Sequence, residues 1–373
     1  KFFKKNMEKN KKRLIIFMPS IDGGGVEKNL FIISNFLSSK LNEIVLITFD
    51  TRFNKKFDNK IRIINVVKKP KKKYSKYYKY YKCLKILIYE TTRKESLVFA
   101  FQANIYCCFL SLIFNFDLIT RSNSSPTGWS KNFFKNLIFK ILFKIPKKII
   151  VNSKDFKSEI DKKFNIKTKL IYNPLNIKTI KESSSQKLNF NFFNNSEIKA
   201  INIARFTDQK DHITLLESIN YLVSKKIDIK LLIMGYGPNK KEILNYIKRK
   251  NLSKNIKIIN FQNNPYKYMC KSNLFILSSL YEGLPNVLLE AMTLKKFIIS
   301  SNCPTGPREI LKNGSLGYMF RPKDSAALSK LILKFYNNKI ICKNISDKAY
   351  TSLHRFDYKT NCYKYYNVIK EFI

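Results

Sequence analysis

Short apolar segments alternate with amphipathic helical segments along most of the chain, and this alternation constrains the fold more than any other feature. Most of these segments are apolar at consecutive positions, which is typical of parallel strands buried on both faces. A repeated order of strand, turn and helix predicts βα units and parallel sheets. The first predicted strands are LIIFM (14–18), EIVLITF (43–49), IRIINVV (61–67), LVFAF (97–101), FDLIT (116–120) and KKIIVNS (147–153).

The alternation starts again after a polar, irregular segment at 181–196, which is typical of a linker. The second series of predicted strands is IKAINIARF (198–206), KLLIMGYG (230–237), IKIINF (256–261), LFILSS (274–279) and KFIISSN (296–302). We therefore predict an α/β fold of two facing Rossmann-like domains with a central cleft, which suits a chain of 373 residues. The predicted parts are an N-terminal domain (1–175), a linker (176–196), a C-terminal domain (197–354) and a C-terminal helix returning to the first domain (355–373).

The composition limits the partners and the compartment. A formal net charge of +45 favours polyanions, acidic membranes or phosphorylated substrates. Seven scattered cysteines without a C-x-x-C pair and only two histidines argue against a zinc site, and scattered cysteines fit a reducing compartment. The short apolar run that follows the basic first residues indicates a strand rather than a signal peptide. We therefore expect a cytoplasmic protein without a metal.

One uncharged window, Ser96–Phe116, is long enough to span a bilayer. Polar residues interrupt it at 102, 104, 111 and 115. The window therefore favours a strand, a polar turn and a helix, and a membrane span remains the alternative.

Glycines follow the first predicted strand, where ligands bind in parallel sheets. Gly23, Gly24 and Gly25 precede a helix predicted over 26–37. They would let the backbone approach a ligand closely, and the helix N-terminus would favour an anion. Their spacing is not G-x-G-x-x-G, so a nicotinamide or flavin site is poorly supported. A plain tight turn is the alternative.

Basic residues and further glycines follow strands of the second series. Arg205 and Lys210 stand five positions apart after a strand. Arginine offers a planar fork for phosphate oxygens and lysine a mobile charge. Gly235 opens another turn that would permit close approach.

The stretch YEGLPNVLLEAM (281–292) carries two acids in a strongly basic chain. Pro285 suits the first turn of a helix, so the N–H groups around 284–287 would form an anion site. Glu282 would stand just before that site, and Glu290 would accept hydrogen bonds from sugar hydroxyls. Exposed surface acids are the alternative interpretation.

The order of these motifs resembles the retaining glycosyltransferases of sequence family 4, which have the GT-B fold. Glu282 and Glu290 match the E-x7-E signature of that family, and Arg205 and Lys210 match its basic pair. Gly-Gly-Val-Glu27 resembles the first glycine loop. Asn173-Pro174 lies where that family leads into its interdomain segment, and 301–309 (SNCPTGPRE) resembles a sub-group that builds bacterial surface or lipid-linked glycans, often from UDP-activated amino sugars.

The resemblance implies a role for each matching residue. Arg205 and Lys210 would neutralise the donor diphosphate, Glu290 would hold the nucleotide ribose, and Glu282 would face the donor sugar. Backbone amides of Gly283–Asn286 would cap the phosphates. The implied catalytic residues are Arg205, Lys210 and Glu282, and the implied donor-binding residues are Gly24, Gly25, Gly235, Gly283, Leu284, Pro285, Asn286 and Glu290.

The implied activity is transfer of a hexose or N-acetylhexosamine from a nucleotide-diphosphate sugar, UDP being the expected nucleotide, to a lipid-linked or surface-glycan acceptor. The first domain would bind the acceptor and the second the donor. No cofactor, metal or nucleic acid is expected, and the chain contains no D-x-D. A nucleotide-sugar epimerase of the same fold is the alternative. A nucleic-acid-binding protein would explain the charge but not the placement of the acids and glycines.

Many proteins of this family carry a histidine in the first domain, and this chain has none there. His212 follows the basic pair, and we predict that it is a surface residue. The segment 121–126 (RSNSSP) occupies a comparable strand end and would supply polar contacts instead.

Two basic segments of the first domain suit an anionic membrane. Residues 68–85 contain nine lysines and no acid. In 136–148, one helical face would carry Ile138, Ile141, Leu142 and Ile145, and the opposite face lysines. A peripheral protein on the inner face of the cytoplasmic membrane is one interpretation. A half-buried helix with a solvated lysine face is the other.

Overall fold

The computed structural model describes residues 12–68, 74–123 and 133–373. Its first domain is built on a seven-stranded parallel sheet in the order β3-β2-β1-β4-β5-β6-β7. All six strands predicted in this half are present. The strands are β1 (Arg13–Phe17), β2 (Ile44–Asp50), β3 (Ile61–Val67), β4 (Ser96–Ala100), β5 (Asp117–Arg121), β6 (Lys148–Val151) and β7 (Lys169–Leu170).

Helices cover both faces of this sheet. They are α1 (Gly25–Ser38), α2 (Lys76–Arg93), α3 (Asn104–Phe114), α4 (Phe133–Leu142) and α5 (Lys154–Phe164). Helix α1 packs on one face through residues such as Leu30 and Ile33. On the other face, α2, α3 and α4 pack through residues such as Leu87, Cys107 and Leu142.

The second domain repeats this plan with six parallel strands in the order β10-β9-β8-β11-β12-β13. The strands are β8 (Ile198–Ile203), β9 (Ile229–Gly235), β10 (Ile256–Asn260), β11 (Leu274–Leu277), β12 (Phe297–Ser301) and β13 (Tyr318–Phe320). Its helices, with the preceding α6 (Ile177–Ser184), are α7 (His212–Ser224), α8 (Lys240–Arg249), α9 (Tyr266–Met269), α10 (Asn286–Thr293), α11 (Pro307–Ile310) and α12 (Ser325–Asn337).

Two segments connect the domains. The first includes α6, so residues 181–184 of the polar segment are helical rather than irregular. The second runs from α13 (Lys339–Thr351) into α14 (Tyr358–Lys370), and α14 buries Cys362 and Tyr365 in the same core cluster as α1 of the first domain. The chain therefore crosses between the domains twice.

The window 96–116 forms β4, a turn and α3. Across residues 12–68, 74–123 and 133–373, no helix combines the length and the apolar character that a membrane span requires.

The strand orders determine where a ligand site can form. In each sheet the connections leave the first strand, β1 or β8, in opposite directions on its two sides. Ligands of such sheets bind at this switch point, outside the carboxyl ends of the strands. The loops that leave β1, β8 and β11 therefore define the cleft.

Candidate active site

The loop between β11 and α10 supplies a helix N-terminus to the cleft. Helix α10 begins at Asn286, and Pro285 stands at its N-cap. The first backbone N–H groups of a helix have no partner within the helix and carry a partial positive charge. Pro285 has no N–H, so the segment predicted to cap phosphates contributes the amides of Gly283, Leu284 and Asn286 only.

Glu282 and Lys210 form a buried ion pair. The Lys210 Nζ atom lies 2.5 Å from Glu282 Oε1, and the Ser279 hydroxyl donates to the same oxygen at 2.6 Å. The sequence predicted separate targets for these two side chains, namely the phosphates and the sugar hydroxyls. Their contact places a cation and a carboxylate side by side at the ends of β8 and β11.

Arg205 is the cation that remains available at this edge. Its side chain is exposed, and it forms no ion pair with the residues that the structure describes. Its charge acts across the cleft on Glu27 of the first domain. Burial is the largest influence on Glu27 and raises the pKa of its carboxyl, whereas Arg205 acts in the opposite direction.

Glu290 accepts a hydrogen bond from a residue of the other domain. Only 4% of this residue is exposed, and its Oε1 atom lies 2.7 Å from Lys28 Nζ of α1. The same ammonium donates to the Tyr266 hydroxyl at 3.3 Å and lies 5.2 Å from the Tyr266 ring centroid. Burial lowers the pKa of Lys28, but Glu290 and Tyr266 more than offset it, so the pKa is raised overall.

Lys28 and Tyr266 were not predicted as site residues from the sequence. Lys28 directly follows the glycine loop and Glu27, and this adjacency is the one signal that could have pointed to it. Tyr266 lies in the short helix α9 after the edge strand β10, and no local pattern distinguishes it from the other tyrosines.

The glycines of the cleft serve different purposes. A Cβ atom on Gly283 would lie 2.1 Å from the carbonyl oxygen of Asn123 in the first domain, so this position must lack a side chain for the two domains to meet. Gly25 accepts a hydrogen bond from the Asn286 side chain at 2.9 Å. A Cβ on Gly235 would lie 1.9 Å from the carbonyl oxygen of Ala204, so packing between neighbouring loops already explains this glycine.

Gly24 stands at the N-cap of α1. The loop before it is held by Glu27, whose Oε1 atom accepts from the backbone N–H of Asp22 at 3.3 Å. The start of α10 contacts Gly25, and the charge of Arg205 reaches Glu27, so these three elements meet where the two domains face each other.

His212 is not a surface residue, so that prediction is wrong. Only 3% of it is exposed, and its ring meets the ring of Phe206 edge to face with centroids 5.3 Å apart. Burial lowers the pKa of His212 to about 4, which leaves the ring neutral at neutral pH. It lies beneath the basic pair rather than in the cleft.

Arg121 is also placed differently from the prediction, because it is fully buried beneath the cleft. It donates to Asn173 Oδ1 at 2.7 Å and to the Tyr365 hydroxyl at 2.9 Å. Asn173 in turn donates to the Leu284 carbonyl at 3.1 Å. Arg121 therefore supports the start of α10 instead of contacting a ligand, and residues 124–126 of the predicted polar segment lie outside the described residues.

No group of three or more His, Cys, Asp or Glu side chains within the described ranges is arranged to hold a metal ion. The absence of a metal requirement stays a prediction.

Comparison with known proteins finds similarity to glycosyltransferases, which is the coarser part of the sequence resemblance. Residues 184–352 match the family model described as glycosyl transferases group 1. The chain is 37% identical over 181 residues to an uncharacterised glycosyltransferase of Methanocaldococcus jannaschii, covering 47% of this chain and 44% of that protein. It is 26% identical over 247 residues to the N-acetylgalactosamine-N,N'-diacetylbacillosaminyl-diphospho-undecaprenol 4-alpha-N-acetylgalactosaminyltransferase of Campylobacter jejuni, covering 64% of this chain and 66% of that enzyme. The chain thus matches less than two thirds of the length of these curated relatives.

Solved structures resemble nearly the whole chain. The Anabaena protein HepE in complex with UDP-glucose superposes with a TM-score of 0.79 at 17% identity, covering 97% of this chain and 100% of that one. The sucrose-phosphate synthase of Thermosynechococcus elongatus superposes with a TM-score of 0.81 at 14% identity, covering 97% and 99%. The chain therefore has the GT-B fold, and its residues 184–352 match the glycosyl transferases group 1 family model.

Proposed function

We propose that this protein is a retaining glycosyltransferase of sequence family 4 that uses a UDP-activated hexose or N-acetylhexosamine. One observation carries the proposal: an exposed guanidinium, the N-terminus of α10 and a buried carboxylate surround the same interdomain cleft. Cations and helix-end amides suit a diphosphate, and a carboxylate suits ribose hydroxyls. Arg205 and the amides of α10 would hold the diphosphate, and Glu290 would hold the ribose.

The chemistry depends on stabilising the leaving group. As the bond between the anomeric carbon and the diphosphate oxygen breaks, negative charge grows on the departing phosphate. Preorganised donors aimed at such a charge are typically worth about 10²–10³ in rate each. The pairing of Lys210 with Glu282 would orient this ammonium toward the phosphates and the carboxylate toward the donor sugar.

The acceptor hydroxyl forms the new bond on the same face of the sugar, and its proton passes to the departing phosphate oxygen. This route needs no histidine, and the burial of His212 is in keeping with it. The charge on the diphosphate is met by Arg205 and Lys210 in this proposal, so no metal is required.

The relatives guide the proposal on substrates. The Campylobacter jejuni relative is named for a diphospho-undecaprenol-linked acceptor, and HepE was crystallised with UDP-glucose. A UDP-sugar donor and a lipid-linked or surface-glycan acceptor are therefore the substrates that we propose for this protein.

A panel of radiolabelled UDP-sugars, with and without membrane extract, tests this function. We expect one donor to transfer its label to a glycan or lipid only when the extract is present, with slow hydrolysis otherwise. Conversion of the donor into an epimer without any acceptor would contradict the proposal and favour the epimerase. A thermal-shift screen of nucleotide diphosphates identifies the base beforehand.

We further propose that the outer surface of α2, α3 and α4 meets an anionic membrane. Helix α3 carries no charge, and Phe109, Leu112 and Ile113 are each between 56% and 60% exposed. On α4, Ile138 and Ile141 are exposed beside Lys140, Lys144 is exposed just after the helix, and Leu142 is buried in the core. This helix ends at Leu142, so the predicted apolar face of 136–148 is divided. An uncharged apolar helix beside lysines suits insertion at a bilayer surface.

Flotation with vesicles tests the membrane surface. We expect the protein to float with anionic vesicles and less with neutral ones, because lysines attract acidic lipids. The triple variant Phe109→Ser, Leu112→Ser, Ile113→Ser should lose this binding. Ile340→Ser with Ile341→Ser, which removes two exposed apolar residues from α13, is the matched control and should float like the unmodified protein. Equal absence of binding to both kinds of vesicle would contradict the proposal.

A further inference from the structure

The contact between Lys28 and Glu290 joins the two domains at the nucleotide site. Lys28 belongs to α1 of the first domain, whereas Glu290 and Tyr266 belong to α10 and α9 of the second. The Lys28 ammonium donates to Glu290 Oε1 at 2.7 Å and to the Tyr266 hydroxyl at 3.3 Å. The pair therefore exists only while the two domains face each other as they do here.

A carboxylate as buried as Glu290 requires a partner, because leaving an ionised group unpaired away from water is costly. Lys28 supplies that partner from across the cleft. The Tyr266 hydroxyl also hydrogen-bonds the Glu290 carboxylate, so Lys28 and Tyr266 together hold this side chain. A carboxylate has about four acceptor sites, so Glu290 keeps sites for a hydroxyl donor beside those that Lys28 and Tyr266 occupy.

Neighbouring contacts hold the same two helices together. The Asn286 side chain at the start of α10 donates to the Gly25 carbonyl at 2.9 Å and to Asn29 Oδ1 at 3.3 Å, both in α1. Helix α1 therefore touches α10 at the first turn, where the phosphates are proposed to bind, and at Glu290, one turn further along.

We propose that Lys28 is a positioning residue that orients Glu290 for the ribose and makes nucleotide affinity depend on closure of the two domains. The inference rests on the proposed function, in which Glu290 accepts from ribose hydroxyls. Lys28 keeps the Glu290 side chain fixed, so that the remaining acceptor sites of its carboxylate meet the ribose without reorganisation. Because coupling between two equilibria is reciprocal, a nucleotide that binds Glu290 also stabilises the closed arrangement.

A competing role for Lys28 would change the nucleotide affinity of the variant in the opposite direction. If Lys28 occupied the place of the ribose hydroxyls, the nucleotide would have to displace it, and removing the ammonium would tighten nucleotide binding. If Lys28 positions Glu290, removing it weakens nucleotide binding. The direction of the change in Kd therefore decides between the two roles.

The test is calorimetric titration of the full chain with UDP and, separately, with inorganic pyrophosphate, which lacks a ribose. For Lys28→Met we expect the Kd of UDP to rise about 10- to 100-fold, in the range of hydrogen bonds to charged groups. The Kd of pyrophosphate should change less than about twofold. Lys28→Arg keeps the charge and should restore most of the UDP affinity. Lys94→Met, which removes an exposed lysine paired with Glu43 far from the cleft, is the matched control and should leave both values unchanged.

A double-variant cycle adds a result that a purely structural role would not produce. In a Glu290→Gln background, Lys28→Met should have little further effect on UDP affinity, because both changes act through one carboxylate. Additive losses, or unchanged or tighter UDP binding by Lys28→Met, would overturn the inference while leaving the proposed function intact. Failure of the unmodified protein to bind any nucleotide diphosphate would overturn both. If Lys28→Met does not fold, Lys28→Gln is measured against the same criteria.

Discussion

Replacement of Arg205 by alanine is expected to lower the rate of glycosyl transfer by about 10²–10³-fold without changing the fold. The guanidinium is exposed and has no ion-pair partner among the described residues, so its removal breaks no ion pair there. Its loss removes a positive charge from the edge where the diphosphate is proposed to leave. Turnover of a labelled donor and the melting temperature are the two measurements.

The matched control for this variant is Arg321→Ala. Arg321 is also exposed in the second domain, but it follows the edge strand β13 rather than the central strand β8. We expect this variant to retain full turnover, and Arg205→Lys to retain an intermediate rate because it keeps the charge but loses the planar fork. Near-normal turnover of Arg205→Ala would remove the basis for placing the diphosphate at this edge.

The second large effect concerns the buried pair of Lys210 and Glu282. Lys210→Met alone and Glu282→Gln alone should each lose stability, by about 3–5 kcal/mol at most, because each leaves a buried charge without its partner. Each should also lose most of the transfer activity. The double variant removes both charges together, so it should regain much of the stability but none of the activity.

Chemical denaturation and donor turnover, measured on all three variants, distinguish a structural role of this pair from a role in the reaction. A double variant that is stable and inactive would show that the pair is needed for the reaction itself. A double variant that is stable and fully active would show that the two residues only support each other, and Lys210 and Glu282 would then have to be withdrawn from the site.

The fold was accessible from the sequence because parallel strands buried on both faces leave continuous apolar runs. All of the predicted strands are present, and the glycines, the basic pair and the acids lie at the carboxyl ends where parallel sheets bind ligands. Local patterns determine these positions, since each strand end is fixed by its own apolar run.

Contacts between the two domains could not be predicted from the sequence in the same way. The pairing of Lys28 with Glu290 joins residues 262 positions apart, and it depends on how two separately folded sheets face each other. No periodicity within either segment encodes that relation. The contact of Gly283 with Asn123 has the same origin, because a glycine in a loop does not reveal which backbone will approach it.

The burial of single polar residues was also not predicted from the sequence. His212 follows two charged residues and begins a helix, which is typical of a surface position, but Phe206 of the same loop covers its ring. Arg121 ends a strand beside polar residues, and besides the neighbouring Asn123 its acceptors are Asn173 and Tyr365, which come from distant parts of the chain. In both cases the covering group is supplied by tertiary packing that the local sequence does not specify.

The most direct test of the whole account is a crystal structure of the full chain with bound UDP. We expect the diphosphate to lie between Arg205, Lys210 and the first turn of α10, and the ribose hydroxyls to donate to Glu290. UDP bound outside the interdomain cleft, or bound within it with the ribose away from Glu290, would contradict the account.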